Sequence, residues 1–449
     1  MKTSVASVLF LSTALCGQQA MAQTETAPAV EAPAPNASAP STENAPSPAP
    51  VEVATDPALA TKVAALEAKL QKVEAASAAS QAKIDKLSKL KLSGYVQGRY
   101  EWHQDSNNGW SFPAAGTTGT GSTGTKDYFY VKRARLLTVY NDTHAELVAQ
   151  IDASGASLAA KDLEAAFIDT WSPLHLRISV GQFKYPFGYE LQQSDVAREM
   201  PERSRFILNY FPGERDRGLK IQGKYDILRF QFAIVNGNGT QDSAFGVLDS
   251  NNFKDIVGRL GIDSGFVAGG VSGWYGNDDL DTSATDKTTW LKFSRVRVGA
   301  DVQGYIDVPG VGNLALRGET MYSRDKNLDY NGVAASSCKD RIGWGWNLVA
   351  AQNIGNYLGV VVRLDGYDPL LQGSYDSAKC PDKAATATAP AKIGTFTTAG
   401  TDRVITYGGG VLGYVSPNLK ASLIYEHPSE QGKNKVNNDL FTAQLQASF

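Results

Sequence analysis

Between Leu92 and Phe449 the sequence repeatedly alternates apolar and polar residues, and this alternation constrains the fold more than any other feature. In the stretch LRFQF, residues 228–232, Leu228, Phe230 and Phe232 share one face of an extended chain. Such a period of two is typical of strands with one apolar and one wet face. Sixteen stretches show it: 92–103, 127–140, 143–152, 162–171, 174–183, 215–225, 227–236, 254–263, 266–275, 289–303, 312–323, 340–352, 356–366, 401–415, 418–427 and 437–449. The chain is therefore predicted to be all-β.

The connections between these stretches alternate between long and short. The long ones are 104–126, 153–161, 184–214, 237–253, 276–288, 324–339, 367–400 and 428–436. The short ones include Asn141-Asp142, Ser172-Pro173, Asp226, Ser264-Gly265 and Ser416-Pro417, and GYIDVPGVG is expected to be a longer exception. An even number of antiparallel strands, with long loops at one end and tight turns at the other, is typical of outer-membrane barrels. Residues 92–449 are therefore predicted to form a 16-stranded antiparallel transmembrane β-barrel whose lumen is too wide for side chains to fill.

The first residues have the pattern of a secretory signal peptide, which is expected to span residues 1–22. Lys2 precedes an apolar run at 5–15, and Ala20-Met21-Ala22 offers a small-residue cleavage site. Cys16 suggests a lipoprotein as an alternative, but Leu15 before it is bulky for that motif. No run of 18 apolar residues follows, so strands rather than a helix would cross the membrane. We expect a bacterial outer-membrane protein.

Two segments are predicted to precede the barrel. Residues 23–57 are rich in alanine, proline and threonine, a composition that cannot bury a core, and they are predicted to be a disordered spacer. Residues 58–91 are predicted to form a short periplasmic coiled coil, with a single amphipathic helix as the alternative. The apolar seam consists of Leu59, Val63, Leu66, Leu70, Val73, Ile84 and Leu87, with Ser77 and Ser80 interrupting it.

The stretch MPERSRFILNYFPGERDRG, residues 200–218, interleaves arginines with aromatic residues. That combination would suit a nucleic acid, which needs cations for phosphates and flat faces for bases. Export from the cytoplasm and a net charge of −3 argue against a nucleic-acid partner. In a barrel most of this stretch belongs to the third long connection, 184–214, which is predicted to fold inward and narrow the lumen.

Several motifs resemble the phosphate-selective porin O and P family: VGQFKYPFGYE, REMPERS, FPGERDRGLKIQG and YVKRARL. The resemblance covers residues 92–449. It implies a homotrimer whose third loop forms the constriction, and passive diffusion of phosphate or related small oxyanions. The final strand ends in Phe449, which resembles the signal read by the barrel-insertion machinery of the outer membrane.

The residues predicted to contact anions in the pore are Arg203, Arg205, Arg215, Arg217, Arg133, Arg135, Arg295, Arg297, Lys184 and Lys220. Face alternation directs eleven basic residues to the lumen: Arg99, Arg133, Arg135, Arg177, Lys220, Lys224, Arg229, Arg295, Arg297, Arg317 and Arg363. Seven acids accompany them: Glu101, Glu146, Asp152, Asp301, Glu319, Asp365 and Glu426. Concentrated positive charge in a pore favours anions. Glu202, Glu214 and Asp216 share the loop region, so the alternative that some arginines form structural salt bridges stays open.

Removal of the signal leaves Cys338 and Cys380, which fall in the sixth and seventh long loops and are candidates for a disulfide in an oxidising compartment. The histidines, His103, His144, His175 and His427, belong to no recognisable catalytic motif, and no metal-ligand spacing occurs. We therefore expect neither an enzyme nor a cofactor. Two alternatives to an anion porin are a general porin without phosphate selectivity and a structural tether to the cell wall through the coiled coil.

Overall fold

The computed structural model describes residues 57–104, 126–155, 158–237, 239–240, 253–280, 291–326, 339–375, 403–430 and 438–449. They form two units, an N-terminal helix and a barrel that begins at Leu90. The predicted signal peptide (1–22), the spacer up to residue 56 and both cysteines, Cys338 and Cys380, lie outside the described residues. The cleavage site, the disorder of the spacer and the disulfide therefore stay predictions.

Sixteen strands close into one barrel in which every strand pairs antiparallel with its neighbours in sequence, and β1 pairs with β16. Their bounds are β1 Leu90–His103, β2 Lys126–Asn141, β3 Ala145–Asp152, β4 Ala159–Ile168, β5 Arg177–Lys184, β6 Arg215–Tyr225, β7 Leu228–Val235, β8 Asp255–Asp263, β9 Val267–Leu280, β10 Leu291–Val308, β11 Gly312–Lys326, β12 Lys339–Ile354, β13 Leu358–Tyr375, β14 Val404–Ser416, β15 Leu419–Glu430 and β16 Leu440–Ser448. The predicted fold class and all sixteen predicted strands are confirmed.

The differences between prediction and structure lie at strand ends. β13 continues nine residues beyond the predicted end at 366, to Tyr375. The stretch GYIDVPGVG was expected to be longer than a tight turn, and this expectation was wrong. β10 runs to Val308 and β11 begins at Gly312, so a short turn remains, with Gly310 at a φ of 77°. A positive φ is readily available to glycine, which lets the chain reverse there without steric cost.

The barrel closes at the C-terminus through backbone hydrogen bonds. The N–H of Gly94 donates to the carbonyl of Phe449 at 3.1 Å, and the N–H of Phe449 donates to the carbonyl of Gly94 at 3.0 Å. Closure leaves no unpaired sheet edge, which is what a β-structure in lipid requires. Phe449 therefore completes the hydrogen bonding between the last strand and the first.

The outer face of the barrel is apolar and the inner face is polar, as the alternation predicts. Val180, Leu260 and Leu348 on the wall are more than half exposed. Their sequence neighbours Ser179 and Asn347, on the opposite face of the same strands, are buried. This distribution is the reverse of a soluble protein and is that of a lipid-facing wall.

The N-terminal unit contains one helix, α1 (Pro57–Ser88). It is rich in alanine, lysine, glutamate and glutamine, which have high helix propensity. The apolar residues of its seam that the structure describes are all exposed by more than half, namely Leu66, Leu70, Val73, Ile84 and Leu87. The structure thus has a helix from Pro57 to Ser88 and assigns residues 90–91 to β1, while the coiled coil predicted for 58–91 stays a prediction.

Candidate functional site

The third long connection, residues 185–214 and hereafter L3, lies inside the barrel. The N–H of Gly188 donates to the hydroxyl of Ser272 on β9 at 2.9 Å. Farther along L3, the amine of Lys420 on β15 donates to the carbonyl of Val196 at 2.8 Å. Because β9 and β15 lie in well-separated parts of the barrel wall, L3 extends across the lumen.

One part of L3 is anchored by apolar packing. Phe187 and Phe211 belong to an apolar cluster with Trp274 and Met321 of the wall. A short helix, α2 (Arg205–Tyr210), contributes Phe206, Ile207 and Tyr210 to the same cluster. Phe187 and Phe211 are essentially inaccessible to solvent. Each phenylalanine fully buried in this way contributes roughly 1.5–3 kcal/mol. The aromatic residues of the stretch 200–218, Phe206, Tyr210 and Phe211, thus belong to the core.

Two carboxylates hold the beginning of L3 in place. Glu319 on β11 accepts hydrogen bonds from the backbone N–H groups of Tyr189 and Glu190, at 3.2 and 2.7 Å. Glu190 in turn accepts from the N–H of Ser204 and the amide of Asn347 on β12, at 2.8 and 2.7 Å. These bonds satisfy loop groups that water could not reach.

The other part of L3 is anchored by ion pairs around Asp195. The carboxylate of Asp195 lies 2.5 Å from Arg135, 2.5 Å from Arg198, 2.8 Å from Arg203 and 3.6 Å from Arg133. Arg133 and Arg135 come from β2, whereas Arg198 and Arg203 belong to L3. One buried loop carboxylate therefore joins the loop to the wall.

Glu202 forms a second centre of the same network. Its carboxylate lies 2.5 Å from Arg99, 3.0 Å from Lys132 and 3.2 Å from Arg133. Through shared partners the network joins seven cations to six carboxylates within the part of the chain that the structure describes. The cations are Arg99, Lys132, Arg133, Arg135, Arg198, Arg203 and Arg215, and the carboxylates are Glu101, Asp152, Asp162, Asp195, Glu202 and Glu214.

The charges in this network keep its loop carboxylates ionised. Burial alone would raise the pKa of Asp195, but Arg198 and Arg203 hold that pKa well below its usual range. Burial opposes ionisation of Glu202 in the same way, and the attraction of Arg99 and Arg133 sets its pKa well below the usual value. Opposite charges at these distances outweigh desolvation.

Two of the four predicted loop arginines are buried in ion pairs. Arg203, with its side chain fully inaccessible, pairs with Asp195 and Glu214. Arg215 lies 2.7 Å from Asp162 and 3.4 Å from Glu214. Their geometry favours the salt-bridge alternative over direct anion contact.

The other two predicted loop arginines have different surroundings. Arg205 begins α2, and its backbone N–H donates to Asp365 at 3.4 Å. Arg217 donates to the side-chain carbonyl of Gln182 at 3.3 Å and is half-buried. The structure therefore divides the four arginines, which the sequence grouped together, among separate environments.

The predicted cations of the wall also contact protein groups. Arg133 and Arg135 belong to the network above, and Lys220 lies 3.3 Å from Glu164. Lys184 donates to the carbonyl of Gln193 at 2.8 Å. Each of these cations supports L3 or the wall that surrounds it.

Arg295 and Arg297 lie on the apolar side of L3. Arg295 is 3.8 Å from Asp255. Arg297 donates to the carbonyl of Tyr210, at the C-terminal end of α2, at 2.6 Å, and lies 4.8 Å from the ring centroid of Trp274. A cation at a helix C-terminus and over an aromatic face stabilises both.

The sequence analysis did not predict the roles of four residues at this site, of which only Glu319 was directed to the lumen. Asp195, Glu190 and Glu319 anchor L3, and Lys132 points into the lumen although strict alternation would turn it to lipid. No sequence pattern indicates which distant cation or N–H group a loop carboxylate will contact. A period of two also cannot predict where an extra residue interrupts the pairing.

The histidines make few polar contacts. His103 lies 3.2 Å from Glu101, His427 lies 2.6 Å from Asp439, and His144 lies 3.4 Å from the hydroxyl of Thr170. Within the described ranges, no group of three or more His, Cys, Asp or Glu residues could hold a metal ion. In the same part of the chain, no helix combines the length and hydropathy of a membrane span.

Comparison with solved structures defines the class of the fold, which is that of the outer-membrane porins. The anion-selective porin from Comamonas acidovorans is similar with a TM-score of 0.52 and 10% identity, covering 80% of this chain and 99% of that chain. OmpT of Vibrio cholerae is similar with a TM-score of 0.50 and 8% identity, covering 80% and 97%. OprB of Pseudomonas putida is similar with a TM-score of 0.50 and 10% identity, covering 82% of this chain and 96% of that chain. At these identities the similarity establishes the fold alone.

Comparison by sequence finds no match. No protein-family model matches the chain, and no curated protein matches it. The resemblance to the phosphate-selective porin O and P family therefore stays an expectation.

Proposed function

We propose that this protein is a porin of the bacterial outer membrane that allows passive diffusion of small anions. The observation that carries the proposal is the position of L3, which crosses the barrel interior inside a network whose cations outnumber its carboxylates. Walls of protein reduce screening by water, so a local surplus of positive charge acts on a passing ion more strongly than it would outside.

Phosphate or a related oxyanion is the sharper form of this proposal. Guanidinium groups match phosphate oxygens two at a time, and the chain carries many arginines around L3. Because Arg203 and Arg215 are already paired with carboxylates, their charge would act on solutes at a distance rather than by direct contact. A general anion porin without phosphate selectivity is the alternative that this pairing supports.

The outer-membrane location is supported by the apolar wall and by the signal-like residues 1–22. In this arrangement the short turns and α1 would lie in the periplasm and the long loops outside the cell. The final Phe449 would serve the barrel-insertion machinery.

A homotrimer is supported by α1 and by the resemblance stated above. The exposed seam of α1 has apolar side chains with spacings of three and four residues, which a helical partner would cover. A second copy of the same chain supplies an identical seam.

A structural tether is a second candidate, and the tight anchoring of L3 is the observation that favours it. If L3 obstructed the lumen, solutes could not pass, and the function would be attachment to the cell wall through α1. Conductance in a planar bilayer distinguishes the two functions. A porin gives discrete current steps, and the sign of its zero-current potential in a salt gradient identifies the favoured ion, whereas a tether gives no current.

A further inference from the structure

Two of the β-bulges in the described part of the barrel wall lie beside the ion-pair side of L3, and each of these two involves a lysine. Between β1 and β2, Gln97 pairs with Arg133 and Gly98 pairs with Val131. Lys132 is therefore an extra residue of β2 that has no cross-strand pairing partner on β1. Between β3 and β4, Ala149 pairs with Leu163 and Ile151 pairs with Ala160. A bulge re-aims side chains that regular alternation would direct elsewhere.

The second bulge sets two residues, Lys161 and Asp162, against the single residue Gln150. Asp162 joins the network through Arg215, at 2.7 Å. Lys161 precedes Asp162 in the chain and lies close enough to the network for four of its charged groups to act on it. These groups are Arg135, Arg215, Asp152 and Glu214. The bulge therefore brings a lysine to the edge of the L3 network.

These two lysines differ from the arginines of the network in accessibility. The side chain of Lys132 is 33% exposed, although its amine pairs with Glu202 at 3.0 Å. Lys161 is half-buried, and its amine makes no hydrogen bond or ion pair within the described part of the chain. Arg203 and Arg215, by contrast, have side-chain exposures of 0% and 2%. The side chains of the two lysines are therefore more accessible to solvent than those of these arginines.

We propose that Lys132 and Lys161 are the side chains through which the L3 constriction contacts passing anions, with inorganic phosphate and similar small oxyanions as the ligand class. This inference rests on the proposed function. An ammonium group is a compact, hydrated charge on a flexible stem, so it makes exchangeable contacts rather than a rigid bidentate clamp. Conduction needs contacts that attract an ion but release it again.

The first test uses the full-length protein in a planar bilayer and the variants Lys161→Gln and Lys132→Gln. Each removes one accessible charge, and we expect each to lower the anion-to-cation permeability ratio by about two- to four-fold. Lys161→Arg keeps the charge and should retain the wild-type ratio. Lys72→Gln is the matched control, because Lys72 is an exposed lysine of α1 and belongs to the N-terminal unit rather than to the barrel.

The second readout is the response of the chloride current to added inorganic phosphate. We expect phosphate to reduce the wild-type current. The double variant, which combines Lys132→Gln with Lys161→Gln, should need a several-fold higher phosphate concentration for the same reduction. An unchanged permeability ratio and phosphate response in a correctly folded double variant would overturn the inference. A wild-type protein that prefers cations or conducts nothing would instead reject the proposed function itself, so the two failures are distinguishable.

Discussion

In L3 the guanidinium Nη1 of Arg203 lies 2.8 Å from Oδ1 of Asp195, eight residues earlier in the chain. Arg203 also donates to the carbonyls of Leu191 and Gln193, at 3.2 and 2.9 Å. The side chain is therefore enclosed by the loop to which it belongs. An arginine in this position holds the loop together, and its loss affects folding before it affects the passage of ions.

Replacement of Arg203 by glutamine should be strongly destabilising. It leaves the buried carboxylate of Asp195 with one partner fewer, and breaking a buried pair costs about 3–5 kcal/mol. Urea unfolding in lipid vesicles measures the change. Lys161→Gln is the control that should be close to wild type, because Lys161 has no ion-pair partner among the residues that the structure describes. Wild-type stability combined with an altered zero-current potential would show that Arg203 contacts ions instead.

The ionic anchor of L3 should persist through mildly acidic pH. The pKa values of Asp195 and Glu202 are lower in the folded state than in the unfolded chain, where they are about 3.9 and 4.3. Their stabilisation is therefore fully present above these unfolded values and is lost as pH falls through the folded pKa values.

We accordingly expect these carboxylates to contribute no loss of stability between pH 8 and about pH 5, and a decline below about pH 4. Unfolding free energies measured across this range test the expectation. Asp195→Asn should show a smaller decline in acid because one of the two titrating groups is gone. A steep loss in the wild-type protein between pH 6 and pH 5, absent from Asp195→Asn, would contradict the assigned pKa direction.

Gly188 should tolerate no side chain. Its φ is 57°, and a Cβ atom there would lie 1.8 Å from Oε1 of Glu319, the carboxylate that holds Tyr189 and Glu190. Gly188→Ala should displace the start of L3 and change the single-channel conductance.

Gly310 provides the control for this prediction. Its φ of 77° imposes a similar backbone cost on alanine, but apart from its chain neighbours no atom of the described residues lies within 4 Å of the added Cβ. Gly310→Ala should therefore lose only about 1 kcal/mol of stability and keep the wild-type conductance. If both variants conduct identically, the contact between Glu319 and L3 does not set the pore.

The proposed trimer should survive removal of the N-terminal unit. Deletion of residues 23–89 removes α1 but leaves every strand, because β1 begins at Leu90. In the proposed assembly most of the interface lies between barrel walls, so native gels in mild detergent should still show trimers. Monomers after the deletion, with trimers for the full chain, would assign the assembly to α1 instead. Monomers in both cases would contradict the homotrimer.

The barrel was predictable because a membrane wall imposes a strict chemical alternation, which a single sequence displays directly. The inward position of L3 was also predictable, because a long connection in a wide barrel has an open lumen to fold into. The roles of its arginines were not predictable, since burial of Arg203 depends on Asp195 and Glu214 meeting it in space. Lys132 and Lys161 were missed because a bulge changes the face of a residue without changing the composition around it.

The most direct test of the central claim is the zero-current potential of the full-length protein in a planar bilayer with a tenfold gradient of potassium chloride. The account predicts discrete current steps and a potential whose sign shows that chloride permeates more readily than potassium. A potential of the opposite sign would contradict anion preference, and the absence of current steps from correctly folded protein would contradict the porin function.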